Sequence, residues 1–93
     1  MKSNKGMIKP TQREIRVVLN ALGLDDTPVM YNDKRKNWRR IKICSRQYSH
    51  EDMGQIQDLL CKMFPSLKTL VYIHHGQSHY GYVTACDTCI KFT

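Results

Sequence analysis

The sequence predicts an α+β domain: one four-stranded, mostly antiparallel sheet with two helices on one face, in the order α-β-β-α-β-β. Three observations predict it. Two segments have helical apolar spacing and a capping residue at their start. Each is followed by runs with the period-two alternation of strands. The chain has 93 residues, too few for a second hydrophobic core, so all six elements must share one.

The first helix is expected in "TQREIRVVLNALG". Thr11 and Glu14 have capping-box spacing, in which each side chain satisfies a backbone donor at the helix start. Ile15, Val18, Leu19 and Leu22 then fall on one face, Arg13, Arg16 and Asn20 fall opposite, and Gly23 supplies the stop. A short extended piece follows at 27–31, with Pro28 as an edge strand tolerates. The polar run "NDKRKN" reads as a turn carrying Lys34, Arg35 and Lys36.

Residues 38–47 alternate as a strand. Ile41 and Ile43 are expected on one face; Arg40, Lys42, Cys44 and Arg46 are expected on the other, with Trp38 at its start. The second helix starts at Ser49, paired with Asp52, and its apolar stripe is Met53, Ile56, Leu59, Leu60 and Met63. "KTLVYIHH" and "HYGYVTACDTCIKF" read as the two strands of a hairpin around "GQS". Read from Trp38 onward, strand–helix–strand–strand is the first part of a split βαβ, ferredoxin-like arrangement. The first helix and the 27–31 strand would supply its missing helix and last strand, which amounts to a circular permutation.

Residues 1–9 read as a mobile basic tail and 10–93 as the domain. No apolar run approaches the roughly 18 residues of a membrane span, and "MKSNKGMIKP" lacks the apolar region of a secretory signal. Four cysteines without such a signal suit reduced thiols and a cytoplasmic location.

Fifteen Lys/Arg against eight Asp/Glu give a net charge of +7, and twelve of the fifteen lie in residues 1–46. Between Tyr31 and Arg46 stand Lys34, Arg35, Lys36, Arg39, Arg40, Lys42 and Arg46, opposed only by Asp33. Such clustering is the electrostatic footprint of a polyanion partner, whereas a merely solubilising surface intersperses its signs.

With the helices on one face, the other face of the sheet is open. Tyr80 and Tyr82, separated by Gly81, would point the same way. Tyr72 and His74 share a face on the neighbouring strand. The open face is thus expected to show Tyr72, His74, Tyr80 and Tyr82 beside Trp38, Arg40, Lys42 and Arg46, while Lys34, Arg35 and Lys36 grip phosphates from a turn. Aromatics stack on bases and cations neutralise phosphates, which favours RNA or another single strand over duplex DNA.

"YGYV" (80–83) resembles the central part of the first signature of RNA-recognition-motif domains, an aromatic–small–aromatic–aliphatic run on a strand. The resemblance implies base stacking by Tyr80 and Tyr82. It covers four residues. Ser78 and His79 replace the basic residue and glycine of the signature, and "RIKIC" lacks the aromatic of its companion, so surface chemistry is similar without family membership.

Other classes stay open. Zinc needs four N or S donors around one point, for which His74, His75, His79, Cys86 and Cys89 are candidates only if the chain bends between the two cysteines. No metal and no cofactor is expected. A metal-independent ribonuclease of toxin-like size would draw a base and an acid from the histidines and Tyr80 or Tyr82. No spacing is diagnostic of it, so the balance leans away from an enzyme. A phage-like inhibitor or other interaction protein would use an unpaired strand at the sheet edge to add to a partner's sheet.

Overall fold

A computed structural model describes residues 9–30, 38–77 and 84–93. The element order is α1 (Gln12–Ala21), β1 (Val29–Met30), β2 (Arg40–Cys44), α2 (His50–Met63), β3 (Thr69–Gln77) and β4 (Thr84–Phe92). The four strands form one sheet in the order β1-β2-β4-β3, and every neighbouring pair is antiparallel. β2 and β3, joined through α2, are therefore parallel with β4 inserted between them. That is the strand arrangement expected of the permuted split βαβ pattern. The predicted turn at Lys34–Lys36 and the tip of the β3–β4 hairpin lie outside the described residues.

Local chemistry sets the helix ends. The Thr11 side chain accepts from the Glu14 N–H and the Glu14 carboxylate accepts from the Thr11 N–H, completing the capping box. At the other end Gly23 adopts φ +79°, a backbone conformation that favours glycine. Its N–H reaches the Asn20 carbonyl and the Leu24 N–H reaches that of Leu19, the paired bonds of a Schellman stop. In α2 the Ser49 hydroxyl accepts from the Asp52 N–H, while Glu51 and Asp52 sit in the first turn and Lys62 in the last, complementing the helix dipole.

One apolar cluster joins both helices to one face of the sheet: Ile15, Val18 and Leu19 of α1, Ile56 and Leu60 of α2, Ile41 and Ile43 of β2, Val71 of β3, and Ile90 and Phe92 of β4. Met63, expected in the stripe of α2, is exposed; the buried Phe64, where the helix ends, closes that side of the core instead.

The strand read over 38–47 is shorter than expected, and its two ends behave differently. Lys42 pairs with Cys89, but Cys44 pairs with Thr88, so β2 has one extra residue at Ile43–Cys44. Such a bulge breaks the alternation. Both Ile43 and Cys44 consequently join the buried cluster, and Cys44 is not on the open face.

Beyond the bulge, residues 45–48 are fastened to β4. The buried Thr88 hydroxyl accepts from the Tyr48 N–H (3.0 Å) and donates to the Arg46 carbonyl (2.7 Å). Tyr48, itself buried, donates its hydroxyl to the Asp26 carboxylate, and Arg46 pairs with the same oxygen at 2.6 Å. Burial first, then the bond to Asp26, pushes the Tyr48 hydroxyl well above the ordinary tyrosine range. Tyr48→Phe removes the bond that ties the 24–26 loop to the start of α2. It is expected to lower stability by about 1–2 kcal/mol, measured by chemical denaturation.

A candidate nucleic-acid interface on the open sheet face

The strand registers fix what lies on the helix-free face. Directly paired residues of antiparallel strands point to the same side. Starting from the buried Ile41, Ile90 and Val71, the alternate positions are the open ones. One row across the sheet is Arg40–Lys91–Leu70, the next is Val29–Lys42–Cys89–Tyr72, and further along His74 stands opposite Asp87. Arg40 and Leu70 are exposed, with Lys42, Lys91, Tyr72 and His74 half-buried. Among the described residues Asp87 is the single acid carried by a strand.

Arg40, Lys42, Tyr72 and His74 therefore take the face the sequence suggested. Lys91 joins them. Alternation counted from Tyr80 and Tyr82 on the open face would turn Lys91 toward the helices. In the described part of β4 the even positions Thr88, Ile90 and Phe92 are buried on the helix side, so Asp87, Cys89 and Lys91 fall on the other side of that register. The signal lay in the end of the strand: Ile90 and Phe92 are its large apolar pair, and taking them as core turns Lys91 outward. Tyr80, Tyr82, Lys34, Arg35 and Lys36 lie outside the described residues.

Two expected members of the face lie elsewhere. Trp38 precedes β2 in a turn and packs against the buried cluster, its ring 6.4 Å from Phe92. Arg39 covers it, the guanidinium 4.4 Å from the indole. An indole is worth more to the core than to solvent, and no strand alternation constrains a residue outside the strand. Arg46 likewise lies past the bulge, where its guanidinium stacks 4.9 Å from the Tyr48 ring and pairs with Asp26.

At the centre of the face Cys89 is fully buried although no helix covers it. Its cross-strand neighbours on that face are Lys42 and Tyr72. Burial, reinforced by the Asp87 carboxylate, pushes the thiol up to about 11; the Lys42 ammonium and a hydrogen bond with Tyr72 pull only partly the other way. Because the folded state holds this proton more tightly than the unfolded chain, the associated stability is complete below about pH 9 and is lost as pH rises through 11. Two measurements check this: unfolding across that window, and alkylation of the exposed Cys61 well before Cys89.

Among the described residues the candidate zinc donors do not gather. His74 and His75 are adjacent on a strand and face opposite sides. His75 Nδ1 lies 3.4 Å from Cys86 Sγ on the helix-side parity, whereas Cys89 is buried on the other. Among the described residues no three metal-ligating side chains converge; His79 lies outside them. Arg13 and Arg16 line a groove with Gln12, Thr27, Pro28 and Val29, beside the short β1 edge.

The fold and this face define an α+β protein with a cation-bearing open sheet. Comparison with family models, curated proteins and solved structures found no match. Among the described residues no helix is long and apolar enough to cross a membrane.

Proposed function

We propose that this protein binds single-stranded nucleic acid, RNA in preference to duplex DNA, on the open face of its sheet. One observation carries the reading: Arg40 and Lys91 are directly paired across β2 and β4. Like charges at a directly opposed position destabilise a sheet. This pair is moreover of the non-hydrogen-bonded kind, because the flanking Phe92 N–H bonds the Arg39 carbonyl, and such pairs approach most closely. Lys42, two residues along β2, adds a third cation, and Tyr72 offers an aromatic ring in the adjoining row. A phosphate chain laid on this row relieves the repulsion, and bases stack on ring faces beside it. Lys34, Arg35, Lys36, Tyr80 and Tyr82 extend the same chemistry in the sequence. The assignment is to a binding protein, not an enzyme, and it needs no cofactor. The four cysteines, all free, suit a reducing cytoplasm.

The test is a titration of labelled single-stranded RNA and of duplex DNA by fluorescence anisotropy across a salt series. Tighter binding of the single strand, with an affinity that falls steeply as salt rises, is expected. Absence of binding, or binding indifferent to salt, overturns the proposal and leaves the protein-interaction reading.

A further inference from the structure

The two edges of the sheet are built differently. The β1 edge is two residues long and follows Pro28, both devices that discourage strand addition. The β3 edge is nine residues long, and its sequence, TLVYIHHGQ, contains no Lys, Arg, Asp, Glu or Pro.

Register tells which of its backbone groups face outward. Lys68 and Thr93 exchange both main-chain bonds, so Leu70, Tyr72 and His74 are the positions bonded to β4, and Thr69, Val71, Ile73 and His75 point their N–H and C=O away from it. The Val71 N–H is taken by the Gln57 side chain of α2 at 3.1 Å. No such cover is provided at Ile73 or His75 among the described residues. Moreover β2 pairs with β4 only as far as Thr88, whereas the β3–β4 pairing continues from His74–Asp87 to Gln77–Thr84 without a strand beside β4 there among the described residues.

We propose that β3 is a dimerisation edge, pairing antiparallel with β3 of a second copy about a two-fold axis near His74. Ile73 of one chain then faces His75 of the other, giving about four main-chain hydrogen bonds at positions Gln57 leaves open. Charge favours a second copy as the occupant. In a chain of net charge +7, this is the long edge that brings no formal charges together. The nearest cation in sequence, Lys68, is six residues from the axis, so the two Lys68 side chains stand roughly 40 Å apart, well beyond the screening length. A two-fold perpendicular to the sheet keeps both helix layers on one side and unites the two open faces on the other. One strand of nucleic acid then meets two cation rows, a gain in avidity that rests on the proposed function; the dimer itself does not.

Sedimentation and light scattering across a dilution series test it, with amide hydrogen exchange to locate the contact. The native chain is expected to show the mass of two copies, with the Ile73 and His75 amides protected at high concentration and exchanging on dilution. His75→Pro removes an outward N–H, at a position where edge strands accept proline, along with the ring that lies 3.4 Å from Cys86 Sγ, and Ile73→Lys adds a charge to the edge while leaving that contact in place. Each is expected to abolish the dimer while circular dichroism and the melting curve keep the folded form; if the proline variant does not fold, the lysine variant decides. A native chain of single-copy mass at every concentration overturns the proposal, as does a dimer that persists in the folded variants. RNA affinity measured on the monomeric variants reads the open face separately.

Discussion

Phe92→Ala is expected to cost about 3–5 kcal/mol, the range for removing a large buried ring from a core. Phe92 is fully buried on β4, which lies between β2 and β3, so its loss is felt by three strands at once. Its ring meets Phe64 edge-on with centroids 6.3 Å apart and lies 6.4 Å from Trp38. The cavity would open where the end of α2, the start of β2 and the end of β4 meet, and neither aromatic neighbour can collapse into it without leaving its own place. A domain of this size is stable by roughly 5–15 kcal/mol, so the variant should be unfolded, or close to it, at moderate temperature. Trp38 is the only tryptophan and adjoins the site, making its fluorescence the natural signal in urea titrations. A midpoint equal to that of the native chain would show that Phe92 is not packed between those rings.

Much of this core was legible in the residues. Apolar spacing identified α1 and its buried stripe because capping and periodicity agreed: Thr11, Glu14 and Gly23 mark both ends of the segment that carries Ile15, Val18 and Leu19. The helix–strand order was legible for the same reason. The candidate site was harder to read, since period-two patterns tell which residues share a face but not where the alternation breaks. The extra residue at Ile43–Cys44 turns Cys44 inward, and nothing in "RIKICSR" announces it. Trp38 and Arg46 lie just outside the strand, where contacts with Phe92 and with Asp26 decide their direction. Lys91 was hidden by anchoring the parity of β4 at its tyrosines rather than at Ile90 and Phe92. For the bulge, Trp38 and Arg46 the missing information was a partner distant in sequence; for Lys91 it was the parity carried by its own neighbours Ile90 and Phe92.

Lys91→Glu is expected to act on stability and on binding with opposite signs. It converts the like-charged Arg40–Lys91 pair into an opposed one on neighbouring strands, which should raise stability by roughly 0.2–1 kcal/mol. The same change removes one phosphate contact and places a carboxylate in the cation row. The slope of affinity against salt should fall by about 0.7 for the lost contact with a single strand, and the affinity itself by about tenfold or more at low salt. Arg40→Glu must reproduce both effects, because it reverses the other member of the same pair. Loss of binding with a gain in stability separates a functional cation row from damage to the fold, which would lower both. If the two substitutions raise stability and leave RNA affinity and its salt dependence untouched, the row is not the nucleic-acid surface, and the repulsion between Arg40 and Lys91 must serve a different anion.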